Sequence, residues 1–143
     1  MKPGFTLLEL LVTLGIMSTL ALVAVPQYGL LKSGVAFNNE VAALIDNLRT
    51  AQNRALTGQG GLDHGLELEE NRYRLFGVNA LGSRQYDSWI TLPDNFALEQ
   101  AGPEVIFHRL LSGDTDGLTT TTLTFGSQVR LIVINKTGQV ASL

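Results

Sequence analysis

The opening stretch of this chain constrains its structure more than any other. Met1–Gly4 holds one basic residue, Lys2; Glu9 follows as a lone acid, and then 22 residues from Leu10 to Leu31 carry no charge. As a helix, such a run spans roughly 33 Å at about 1.5 Å per residue, enough for a hydrocarbon core of about 30 Å. A secretory signal carries its small-residue cleavage site after the apolar stretch. Here Gly4 lies before it. Cleavage at Gly4 leaves the apolar helix on the mature chain as a permanent part. No basic residue competes with Lys2 until Lys32. The positive-inside bias therefore keeps the N-terminus cytoplasmic and puts the C-terminal domain across the membrane.

Glu9 is the anomaly. A carboxylate beside an apolar span is costly, so its default reading is functional, with a partner. Cleavage after Gly4 makes the Phe5 amine a new cation. Residues 5 and 9 share a helix face. The amine of a neighbouring copy, or of a partner built alike, meets this carboxylate in low dielectric and sets the axial register between subunits.

Gly4-Phe5-Thr6-Leu7-Leu8-Glu9-Leu10-Leu11 resembles the class III signal of type IV pilins and type II secretion pseudopilins. The resemblance implies that a prepilin peptidase cuts after Gly4 and methylates the Phe5 amine, and that Glu9 guides assembly with other pilins or pseudopilins. Pro26 falls where many of these proteins bend their helix, and a proline inside a helix removes a backbone donor. The implied location is the inner membrane, single-pass, with a periplasmic domain that enters a filament after assembly. The organisation expected is a leader at 1–4, a transmembrane and assembly helix at 5–31, and a pilin-like globular domain at 32–143.

That outer part is one domain large enough for a real core. With no cysteine in the chain, it holds by packing alone. Lys32–Leu143 carries nine Lys and Arg against twelve Asp and Glu. This balance disfavours an electrostatic grip on nucleic acid, although Arg72, Arg74 and Arg84 cluster locally.

Apolar residues at Phe37, Val41, Leu44, Ile45, Leu48, Ala51, Ala55 and Leu56 follow helical spacing, so 35–57 reads as an amphipathic helix. It continues the membrane helix, with Ser33-Gly34 as a soft joint, and Gly58 and Gly60-Gly61 stop it. The period then changes to two. Gly65–Glu69 and Arg72–Phe76 alternate around Glu70-Asn71, a hairpin with Leu66, Leu68, Tyr73 and Leu75 inside and Glu67, Glu69, Arg72 and Arg74 outside. Further strands are expected at 87–92, 104–111, 119–125, 128–135 and 139–143. Gly113–Gly117 reads as a loop and Lys136–Gly138 as a turn. The strand at 128–135 is apolar enough to be central.

One long helix followed by strands at 64–143 predicts an α+β domain, with an antiparallel sheet packed on the helix's C-terminal half. The Leu48–Ala55 pattern and a late strand–turn–strand ending in Gly138-Gln-Val resemble the GspH/FimT group of minor pseudopilins. The function implied is a minor subunit of a type II secretion pseudopilus supporting protein export. The alternative is a FimT-like minor type IV pilin for pilus priming or DNA uptake. DNA readers of that family place an Arg-rich motif near the C-terminus, whereas here no arginine follows Arg130.

No catalytic constellation is legible. His64 and His108 stand alone in the sequence, Asp87 and Asp94 lack context, and Gly58–Gly61 lacks the Lys and Ser/Thr of a phosphate loop. Asp114-Thr-Asp116-Gly117 begins like a calcium loop but lacks its later ligands, so it reads as a turn. No cofactor or metal is expected, and the chain is read as a structural subunit, not an enzyme.

Overall fold

The computed structural model describes residues 6–100, 102, 104–109 and 113–143; the side chains at 23–28, 30 and 100 are outside this description. Leader residues 1–4 and Phe5 therefore lie outside the described residues. The chain divides into two compact units, 1–38 and 39–143.

A single helix, α1 (Leu7–Leu56), enters both units. From Leu7 to Leu22 its side chains are mostly apolar and all exposed. It runs through position 26, where the expected Pro26 bend concerns a side chain outside the described residues. Ser33 and Gly34 are helical as well. Among the described residues no helix is long and apolar enough to cross a membrane; the uncharged run is described continuously only as far as Leu22.

In the second unit, Val41, Leu44, Leu48, Ala51 and Ala55 are 0–7% exposed. Their three-and-four spacing puts them on one stripe, as an amphipathic helix requires. Tyr73 projects from the strands to this helix, where its hydroxyl accepts a hydrogen bond from Asn47 Nδ2 at 3.3 Å. Burial pushes the Tyr73 phenol above its ordinary range, against the pull of the Asn47 bond, and the Glu40 charge adds to the rise. Leu56 closes the helix and Gly58 follows in the left-handed region at φ 61°, the usual conformation just past a helix end.

The first sheet is built from β1 (Asp63–Glu69), β2 (Arg72–Val78), β3 (Arg84–Tyr86), β4 (Ile90–Thr91), β6 (Glu104–His108) and β7 (Asp114–Thr115), in the order β3-β2-β1-β6-β7 with β4 also on β2. The second has the order β10-β9-β8-β5, from β5 (Phe96–Gln100), β8 (Thr119–Phe125), β9 (Gln128–Ile134) and β10 (Val140–Ser142). All pairings are antiparallel. The hairpin has the expected register, Leu66 opposite Leu75 and Leu68 opposite Tyr73. These four side chains are buried with Val105 and Phe107, while Leu123, Ile132 and Ile134 fill the core from the second sheet. Backbone bonds join the sheets: Leu98 N–H to the Glu70 carbonyl at 2.7 Å, and Thr115 N–H to the Lys136 carbonyl at 3.0 Å.

Several local expectations differ from the structure. There are two sheets where one was expected. β5 was not foreseen, because Phe96–Gln100 is short and follows a turn. The strand expected at 87–92 reduces to Ile90–Thr91, and Asp87, Ser88 and Trp89 stay outside the ladder. Asp114–Thr115 pairs with β6 inside the expected loop. The strand at 104–111 is described as far as His108, and its positions 110 and 111 lie outside the described residues. Gly65 marks a close approach that composition hides. A Cβ there would run into the Val105 carbonyl and the Phe76 ring, so glycine is what lets Phe76 lie buried over strand β1.

Candidate functional site

The helix start is the first candidate. Thr6 precedes α1, and its Oγ1 accepts the Glu9 N–H at 3.3 Å, while the Leu10 N–H donates to the Thr6 carbonyl at 3.2 Å. Thr6-Leu-Leu-Glu9 thus has the spacing of a capping box, in which the hydroxyl satisfies one of the helix's orphan donors. An acid in the first turn also complements the helix dipole. This local role of Glu9 was present in the sequence as T-x-x-E. Gly4 and Phe5 fall outside the described residues.

From Leu10 to Leu22 the helix carries no charged side chain. Ten large apolar side chains between Leu7 and Leu22 are 53–79% exposed. The hydroxyls among them turn inward: Thr13 donates to the Leu10 carbonyl at 2.9 Å, Ser18 to Leu14 at 2.8 Å and Thr19 to Ile16 at 2.8 Å. Self-satisfied hydroxyls demand nothing of an apolar environment. Such a surface fits lipid or the helices of other subunits, because a monomer in water rarely exposes so large an apolar patch.

The arginines of the first sheet form the second candidate. Arg74 Nε donates to Glu67 at 2.7 Å, Arg72 Nε to Glu69 at 2.6 Å, and Arg84 forks onto Glu104 at 2.5 and 3.1 Å. Arg72 and Arg74 each lie 4.2 Å from the Trp89 ring, and Arg74 also lies 3.7 Å from Tyr86. Every one of these cations already has a carboxylate. The face is an ion-pair ladder capped by aromatic rings, not a free positive patch.

The histidines are third. His64 is buried, with Nε2 at 3.0 Å from the Gln59 carbonyl. It borders a cavity of about 170 Å³ that Arg54, Gln85 and Asp87 also line. Arg54 and Asp87 are paired at 2.8 Å, and the lining contains no serine, threonine or cysteine. Asp94 belongs to the turn before β5. His108 is bracketed: Nδ1 lies 3.0 Å from Asp63 and Nε2 lies 2.8 Å from Asp116. Burial pulls the His108 imidazolium down, but the hydrogen bonds and charges of Asp63 and Asp116 outweigh it and raise the ring above its ordinary value. Burial likewise pushes Asp63 up, yet the Arg109 N–H at 2.9 Å and the His108 ring bring it below the ordinary carboxylate range. No sequence signal announces this bracket, since Asp63 is 45 positions from His108 and only the β1–β6 register unites them. Among the described residues no group of three or more His, Cys, Asp or Glu is placed to hold a metal ion. Asp116, the second acid of the Asp114-Thr-Asp116 turn, faces His108.

Residues 2–25 match the family described as the prokaryotic N-terminal methylation motif. The fold is similar to that of the minor pseudopilin EpsH from the type 2 secretion system of Vibrio cholerae, with a TM-score of 0.60 at 15% identity, over 75% of this chain and 95% of that one. The chain thus joins an N-terminal methylation motif to an α+β fold similar to that of a minor pseudopilin. No curated protein sequence matches it. The motif implies a processed N-terminus and assembly with other pilins or pseudopilins. It lies on the segment whose apolar side chains are exposed.

Proposed function

We propose that this chain is a minor pseudopilin with a structural rather than catalytic role. A prepilin peptidase cuts after Gly4 and methylates the Phe5 amine. The mature subunit sits in the inner membrane as a single pass, with its N-terminus cytoplasmic and residues 32–143 periplasmic. It then leaves the lipid for a type II secretion pseudopilus that supports protein export. Pro26 bends the helix on that route, and Glu9 sets the register against the Phe5 amine of a neighbouring subunit.

The observation that carries this reading is the helix wall from Leu7 to Leu22, mostly apolar and all exposed, with one acid in its first turn. A helix of that kind is stable in lipid or against other helices and in no other setting. The likeness of the outer fold to a secretion pseudopilin favours export over a pilus, although the N-terminal motif serves either filament. DNA uptake is disfavoured by the arginine ladder, whose charges are already neutralised.

Capture of the tagged full chain from its own membranes at native level, followed by mass spectrometry, tests the assignment. Co-recovery of secretion pseudopilins and a secretin supports it. Recovery of a major pilin with retraction or DNA-uptake components replaces it with the FimT-like reading.

A further inference from the structure

The most highly organised polar cluster of the described residues is Asp63, His108 and Asp116, and neither the assembly helix nor the arginine face uses it. Three strands and a loop build it. The β1–β6 pairing sets His64 opposite Phe107, so Asp63 flanks His108 on one side; β7 sets Asp114 opposite His108 on the other. Asp116 follows β7 and reaches the far nitrogen of the ring. The two hydrogen-bonded carboxylates bind opposite ring nitrogens and do not converge on a common point, which is why the cluster is not a cation site.

Proton count makes the arrangement conditional. A neutral imidazole has one N–H and one lone pair, whereas an imidazolium has two N–H donors. An ionised carboxylate only accepts. Two carboxylates on two ring nitrogens are therefore both satisfied only when the ring is charged. When the ring is neutral, one carboxylate faces a lone pair and that contact turns repulsive. Asp63 has a second anchor, the Arg109 N–H at 2.9 Å. Asp116 has no other bond among the described contacts, and its side chain is 82% exposed. It is the partner that lets go.

We propose that His108 is a proton-operated latch: charged, it fastens the loop after β7 to β1 through Asp116 and Asp63, and neutral, it releases Asp116 and loosens residues 114–117. Among the described residues, the further charged groups on the packed elements are Asp114, opposite His108 on β7, and Arg109, next to it in the chain. Lys136 comes to this end of the domain through its carbonyl, which accepts the Thr115 N–H. Thr115 Oγ1 also donates to the carbonyls of Gly117 at 2.7 Å and Asn135 at 3.2 Å. The released loop is thus the one that ties the first sheet to the β9–β10 turn. The raised His108 value fits the closed latch.

The test uses the full chain in detergent micelles, with ring nitrogen shifts of His108 followed by NMR across pH and amide exchange of Thr115 and Gly117 measured in parallel. The expected result is a His108 midpoint above ordinary imidazole. Amide exchange of 115 and 117, corrected for its intrinsic pH dependence, should step up as that midpoint is passed. Asp116→Asn should lower the midpoint and abolish the step. Asp63→Asn should lower the midpoint while the fold, read from the remaining amide spectrum, persists. A His108 midpoint at or below the ordinary value, or loop exchange that ignores the His108 titration, overturns the latch.

Discussion

Arg74 Nε donates to Glu67 Oε2 at 2.7 Å directly across the β1–β2 pair, and both side chains are at least three-quarters shielded from solvent. The same guanidinium lies over Tyr86 and Trp89. Two kinds of partner on one cation separate the pair term from the stacking term. A Glu67→Gln, Arg74→Met double-mutant cycle should return a coupling of about 0.5–1 kcal/mol. Arg74→Met alone should cost about 1–2 kcal/mol, because stacking adds about 0.5–1 kcal/mol. Chemical denaturation followed by the fluorescence of Trp89, the one tryptophan, reads both. Zero coupling would mean that Arg74 is held by the rings alone.

Gly65 sits where β1 passes between Val105 and Phe76, and an added Cβ meets the backbone carbonyl of one and the ring of the other. The carbonyl belongs to the β1–β6 ladder and does not yield. Gly65→Ala should therefore destabilise the domain by about 1–3 kcal/mol, and Gly102→Ala, with open space around it, should leave it unchanged within about 0.5 kcal/mol. Equal unfolding midpoints for the two variants would mean the strands shift to make room.

The hairpin was legible because period-two alternation and the Glu70-Asn71 turn fix both its faces and its register. The buried helix stripe was legible for the same reason, at a period of 3.6. What stayed hidden depends on pairing at a distance. β5 and β7 are short and make sense only beside β8 and β6. The Asp63–His108–Asp116 bracket exists because an antiparallel register aligns residues that are far apart in the chain. Glu9 is a different case: the T-x-x-E spacing of a capping box is written locally, and so is its costly place beside an apolar run.

The His108 bracket gives stability a pH dependence with a definite sign. The folded His108 value lies above the unfolded one of about 6.5. Its contribution is fully present below the unfolded value and is lost as pH rises through the folded one. Asp63 acts in reverse: lowered from 3.8, it contributes above that value and loses its contribution as pH falls through the folded one. Thermal unfolding of the full chain in micelles should therefore show Tm falling as pH rises past the His108 midpoint, and a smaller fall in Asp116→Asn. Parallel Tm profiles in the two proteins would remove His108 from the account.

On the proposed reading, processing depends on the small residue before the cut. Gly4→Leu places a branched side chain at the proposed scissile position and should block leader removal. Intact-mass measurement of the protein from its own membranes should then show the full chain, without loss of Met1–Gly4 and without a methyl group. A mature mass equal to that of the unaltered protein would move the cut elsewhere.

Two proposed roles for Glu9 cannot be told apart by a single deletion. At the N3 position of a capping-box sequence it would support the helix start with Thr6, and on the proposed reading its carboxylate meets a neighbour's amine. Glu9→Gln separates them. Glutamine serves at the third position of a capping box but carries no charge, so the helix start survives while the ion pair is lost. Thr6→Val does the converse: it removes the hydroxyl that accepts the Glu9 N–H, at a cost to the helix of about 1 kcal/mol, and leaves the carboxylate. If register is the role of Glu9, Glu9→Gln should remain in the membrane and fail to enter filaments, while Thr6→Val enters them at near-normal yield. Shearing filaments from cells and quantifying each variant in the sheared and membrane fractions gives the answer. Normal incorporation of Glu9→Gln, with loss in Thr6→Val, would make Glu9 a helix-starting residue and leave subunit register to the apolar wall.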